Sequence, residues 1–165
     1  MTTKSAREHL TDWLRDAYAM EVQATQMLEN MESRIKSYPE MQQRLRQHLE
    51  ETRQQADQVR GCLQRLGTDT STLKTAVAGF TGTMQAWSGV VAEDEVVKGA
   101  VFSYGFEQWE IANYTVLIKT AETAGETEIR TTLEGILRQE QAMADWLQQR
   151  IPDVTQQYVS SGEKR

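Results

Sequence analysis

Proline occurs twice, cysteine once and aromatic residues make up only 7% of the 165-residue chain, and each scarcity removes a class of structure. With one cysteine, Cys62, no internal disulfide can form, and its place on an apolar helix face marks it as a small core residue. Few turn-forming residues and few aromatics argue against an all-β design, whereas the abundance of Gln, Glu, Ala, Leu and Arg suits long helices. No stretch approaches the ~18 consecutive apolar residues of a membrane span, and the first residues lack the charged flank and apolar run of a signal peptide. The expectation is a cytoplasmic protein with no membrane partner. A continuous basic stripe is also missing: the net charge is −6 and Lys and Arg are scattered among acids, which argues against nucleic acid as a partner.

What is present is helical periodicity on a chain of a length that suits one domain, taken here as residues 1–165. Ser5-Ala-Arg-Glu8 reads as a capping box, and Leu10, Leu14, Ala17, Ala24, Leu28, Met31 and Ile35 then recur at spacings of three and four, predicting a helix over about 5–36. Ser37-Tyr-Pro-Glu40 repeats the start signal for a second helix over about 39–66, closed by Gly67. Residues 68–93 mix Thr, Ser and Gly into an apolar series, predicting a long connection with a short helix over about 72–91. Two more helices follow at about 94–124, ended by Gly125, and about 127–151, ended before Pro152, with a frayed polar tail at 160–165. Hairpin, crossover, hairpin is the connectivity of a ferritin-like up-and-down four-helix bundle, and helices of about 30 residues give it a length of roughly 45 Å.

The chemistry lies in what interrupts the apolar seams. Glu21 falls in the buried stripe of the first helix and Glu140 in that of the fourth; Glu107 and Glu110 share one side of the third. The second helix is polar in its middle third, where His48, Glu51, Thr52 and Gln55 occupy or flank the stripe. Glu21, Glu51 and Glu140 each lie ten or eleven residues after the first apolar residue of their seam, about 15 Å along the helix, so the acids are expected in one layer. Buried unpaired carboxylates repel and cost several kcal/mol each, and no Lys or Arg shares the central stripes. Cations are the simplest answer. Glu21 to Glu51 and Glu110 to Glu140 are both separated by 30 residues, a weak internal repeat that would give a two-metal site a pseudo-twofold axis. Tyr18, Tyr104 and Tyr114 lie near enough to bond a carboxylate, and the four tryptophans read as core or interface residues.

The stretches Trp13–Glu21, His48–Thr52, Phe106–Tyr114 and Glu140–Leu147 closely resemble the YciE/YciF family of bacterial ferritin-like proteins over about residues 8–155. That resemblance implies a dimeric, stress-associated helical bundle of unestablished activity. A more distant likeness to rubrerythrin rests on the Glu-x-x-Glu-x-x-x-Tyr pattern of Glu107, Glu110 and Tyr114, and implies metal ligands at Glu21, Glu51, Glu107, Glu110 and Glu140. The pattern departs where di-iron proteins carry histidine, since Gln54 and Met143 stand there; His48, Gln54 and Tyr114 are therefore further candidates for the metal or its surroundings. Such an oxygen-rich site would take two Fe or Mn ions, or other hard divalent cations, and a small oxidant such as peroxide or oxygen as substrate of a possible oxidoreductase. The alternative is a metal-free helical dimer that acts through protein contacts, with Phe80, Met84 and Trp87 of the crossover as its interface.

Overall fold

Four long helices make up the described part of the chain: α1 (Ala6–Arg34), α2 (Pro39–Arg65), α3 (Glu95–Thr123) and α4 (Thr127–Gly162). The structure is a computed structural model, and it describes residues 3–68, 73 and 95–162. The expected crossover helix over 72–91, with its Phe80, Met84 and Trp87, lies outside the described residues apart from Leu73, which is buried in the core. The architecture is the all-α four-helix bundle that the periodicity predicts, with α1 against α2 and α3, and α4 against α2 and α3. Among the described residues no helix is long and apolar enough to cross a membrane.

The helix ends follow local chemistry. Ser5 caps α1 as expected: its side chain accepts from the Glu8 backbone N–H while the Glu8 carboxylate accepts from the Ser5 backbone N–H. A Ser5→Ala substitution should cost about 1 kcal/mol in denaturant melts and leave the other helices unchanged. The second start signal works differently. Pro39 takes the first turn of α2, so the cap position falls on Tyr38, which makes no side-chain cap bond, and Ser37 is one residue too early to serve. Gly67 and Gly125 end α2 and α3 with φ of 76° and 73°. At each the chain bonds back in a paired pattern, Gly67 N–H to Gln64 and Thr68 N–H to Leu63, Gly125 N–H to Glu122 and Glu126 N–H to Ala121.

The fourth helix corrects the expectation that it stops before Pro152, because α4 continues to Gly162 with the proline inside it. Proline removes one N–H and leaves the carbonyl four residues earlier without its helical partner. Here that residue, Gln148, is exposed, so water can serve its carbonyl. Beyond the proline, buried Val154 and half-buried Tyr158 still pack on the bundle and draw the helix on.

Two apolar clusters fill the interior. One joins Leu10, Leu14, Val59, Cys62, Leu63, Leu117, Ala121, Ile129, Leu133 and Ile136 at the end that holds the α3–α4 turn. The other joins Leu28, Ile35, Met41, Leu45, Val96, Ala100, Met143, Leu147 and Val154 at the opposite end. Between them the buried side chains are polar.

Candidate metal centre

A layer of ionisable groups separates the two clusters, and it is almost sealed from water. Glu21, Glu107, Glu110 and Glu140 are at most 2% exposed and His48 1%. α1 supplies Glu21, α3 supplies Glu107 and Glu110 one turn apart, α4 supplies Glu140, and α2 supplies His48. Each sits where helical spacing would otherwise place a core residue.

The imidazole of His48 is held between three carboxylates, one on its outer side and two on its inner side. On one side Nδ1 lies 3.1 Å from Glu51 Oε2. On the other, Nε2 faces the centre, 3.2 Å from Glu107 Oε1 and 3.7 Å from Glu140 Oε2. Thr52 donates to the His48 carbonyl at 3.0 Å, which occupies a hydroxyl that would otherwise be buried without a partner. One oxygen of Glu140 lies within 4.8 Å of one from Glu107, and the Glu140 charge also bears on Glu110. Across the layer Tyr114, fully buried, donates a hydrogen bond from its hydroxyl to Glu21 Oε1.

Electrostatics within the layer follow burial first and charge second. Burial pushes the Glu21 carboxyl up to about 8, although the Tyr114 hydroxyl and His48 both favour its charged form. Glu110 and Glu140 rise well above the carboxylate range, first through burial and then through a neighbouring negative charge, that of Glu140 for Glu110 and that of Glu107 for Glu140. The Tyr114 phenol is pushed well up by burial and by Glu21. Burial opposes a charge on His48, but Glu107, Glu51 and Glu140 outweigh it and hold the imidazole at about 10. Partial burial likewise opposes the Glu51 charge, yet the hydrogen bond with His48 and the Arg44 guanidinium bring that carboxyl down to about 2.

Not every residue singled out in the sequence joins this layer. Glu51 is half-buried and stands on the outer side of the imidazole, bonded to Arg44 at 3.3 Å and Gln47 at 2.9 Å as well as to His48. Gln54 is exposed and turned away from the layer. The inward positions of α2 after His48 are Thr52 and Gln55 instead, and Gln55 donates to Gln139 at 3.0 Å while its own carbonyl oxygen has no partner. No Lys or Arg shares the central stripes, as expected, but Arg44 comes close from beside them: its side chain is only 14% exposed and reaches Glu51. The signal for it was its place seven residues, two helical turns, before Glu51.

The donor set fits a divalent ion. Glu21 Oε2, Glu107 Oε2, Glu110 Oε1 and both Glu140 oxygens are buried without a hydrogen-bond partner, five of the eight oxygens of these four carboxyls. One ligand atom each from His48, Glu107 and Glu140 can be chosen so that all lie within 4.8 Å of one another. Donors about 2.1 Å from one first-row ion are about 3.0 to 3.4 Å apart, close to the His48 spacings.

Residues 5–160 match the family described as a domain of unknown function, DUF892. A crystal structure of a Xanthomonas campestris pv. campestris protein is 38% identical, covers 96% of this chain and 99% of its own, and superposes with a TM-score of 0.81. YcfI from Rhodopseudomonas palustris, described as a candidate structural protein, is 27% identical over 88% of this chain and 94% of its own, with a TM-score of 0.71. The E. coli stress protein YciF shares the fold at 19% identity, with a TM-score of 0.74 over 93% of this chain and 99% of its own. The resemblance to the YciE/YciF proteins and the bundle it implies are both borne out.

Proposed function

We propose that this chain, which belongs to the DUF892 family, is a carboxylate metalloprotein that takes up Fe or Mn ions in the layer between its two apolar clusters. One observation carries this reading: four carboxyls from three helices converge in a buried layer with five oxygens lacking a donor from the protein. Protein interiors rarely leave acceptors in that condition unless an ion or ordered water is meant to meet them. His48, Glu107 and Glu140 would hold one ion, and Glu110 and Glu21 a second, with Glu140 serving both because it lies beside Glu107 and its charge bears on Glu110.

Bound there, iron or manganese would supply Lewis acidity and a redox couple suited to peroxide or oxygen. The chain contributes the rest. Its apolar clusters keep bulk water away from either end of the layer, Tyr114 fixes one oxygen of Glu21, and the carboxyls take up and release the protons that must move when charge in the layer changes.

Metal analysis of protein purified without chelator, followed by anaerobic addition of Mn(II) or Fe(II), tests the reading. About two ions per chain are expected, with stabilisation of about 2.7 kcal/mol when free metal is a hundred times the dissociation constant. Protein that takes up neither ion would overturn it.

A second reading has its own observation. Val101, Trp109 and Val116 are 54%, 41% and 50% exposed on α3, spaced eight and seven residues apart and so on one face. In this reading the chain is a homodimer acting through protein contacts, with protons and the His48 charge neutralising the layer. Sedimentation of the wild type and of a Trp109→Glu, Val116→Glu variant tests the dimer: the variant should sediment as a monomer and retain its helix content.

A further inference from the structure

The side of His48 that faces away from the carboxylate layer is built as carefully as the side that faces it. Nδ1 meets Glu51 Oε2 at 3.1 Å, the same oxygen accepts from Arg44 Nη1 at 3.3 Å, and the other Glu51 oxygen accepts from Gln47 at 2.9 Å. Glu51 is one turn after His48, Gln47 one turn before Glu51 and Arg44 two, so α2 alone supplies the whole assembly. The ring is 1% exposed and has a carboxylate at each nitrogen, which leaves it little room to rotate. A carboxylate that accepts from Nδ1–H keeps a proton on that nitrogen, so an ion that displaces the Nε2 proton meets a lone pair, and here Nε2 is the atom that points between Glu107 and Glu140.

We propose that Glu51, anchored by Arg44, is the positioning residue that presents His48 Nε2 as a nitrogen ligand, and that the centre thereby selects Mn(II) or Fe(II) over Mg(II) and Ca(II). This rests on the metal-binding reading above and makes it more specific. Oxygen donors alone suit hard cations of either kind, whereas neutral imidazole strongly favours first-row transition ions. The arrangement also gives α2 a part unlike that of the other three helices. They bring carboxyls to the layer; α2 brings the ring and keeps its own carboxylate outside to hold it.

The test uses the full chain loaded with Mn(II) and read by pulsed electron paramagnetic resonance for coupling to a ¹⁴N nucleus. Wild type should show the coupling and keep its Mn(II) against about a hundredfold excess of Mg(II). His48→Gln should retain weaker Mn(II) binding, lose the nitrogen coupling and yield the ion to Mg(II). Glu51→Leu should weaken Mn(II) binding by about 10- to 100-fold with the fold intact by circular dichroism. Glu51→Gln, whose amide oxygen can still accept from Nδ1–H, should fall between Glu51→Leu and wild type. Mn(II) bound to wild type without ¹⁴N coupling, or Glu51→Leu binding as tightly as wild type, would overturn the positioning role while leaving the metal site standing. Wild type that binds no Mn(II) or Fe(II) would overturn both. Should His48→Gln fail to fold, the Glu51 pair and the wild-type spectrum still decide the matter.

Discussion

Metal-free protein should be most stable near pH 5 and weaken steadily as the pH is raised to 8. Glu21 ionises at about 8 in the folded chain against an ordinary 4.5, so its contribution is complete below 4.5 and is lost as pH climbs toward 8. The difference amounts to about 4 kcal/mol from this group alone, with Glu110 and Glu140 acting in the same direction. His48, raised from 6.5 to about 10, adds a further loss between those values. Glu51 opposes at the acid end only: held at about 2, it contributes stability above 4.5 that disappears as pH falls through 2. Urea melts in the presence of a chelator from pH 4 to 9 would trace the curve. Saturating Mn(II) should flatten or invert it, since metal replaces protons and binds more tightly as pH rises. A profile flat from pH 5 to 8 without metal would mean that water reaches these carboxyls and that the layer is not sealed.

Removing two of the acids should produce opposite results with and without metal. In Glu21→Gln, Glu140→Gln the neutral amides have nothing to ionise, and Tyr114 can still donate to the amide oxygen that replaces Glu21 Oε1. At pH 8 the metal-free variant should gain about 1–4 kcal/mol over wild type, or several degrees in melting temperature. Near pH 5, where the wild-type carboxyls carry protons, the gain should nearly vanish. With Mn(II) the order should reverse, because the variant has lost Glu140, the carboxyl between the two ion positions, and should show no thermal protection. Protection equal to that of wild type would place the ion elsewhere.

Much of this structure could be read from the spacing of apolar residues. The seams of α1 and α4 placed Glu21 and Glu140 inward through flanking leucines, isoleucines and alanines, and in α3, which is apolar on more than one side, the three-residue spacing of Glu107 and Glu110 still put both on the buried face. In α2 the middle third has no apolar residue on the seam to set that direction. At 100° per residue, Leu45, His48, Thr52, Gln55 and Val59 define a stripe from whose centre Glu51 lies about 80° and Gln54 about 140°. Glu51 is therefore lateral and Gln54 outward. Their expected ligand roles came from the likeness to di-iron proteins, whose second helix carries its acid and histidine in a different order. The equal separations of 30 residues were misleading in the same way: Glu110 and Glu140 both face inward, but Glu21 is matched by a residue that does not. Pro152 misled for a different reason, since a helix tolerates proline where the freed carbonyl meets water and side chains farther on still find a core.

The polar layer also divides the molecule mechanically. Leucines on either side of it belong to separate clusters that share the four helices but no continuous apolar interior. Among the described residues the two apolar halves therefore meet through the polar waist and the helices that cross it. Whatever neutralises the waist couples them: filled, the layer ties four helices together at their midpoints and the halves must open as one.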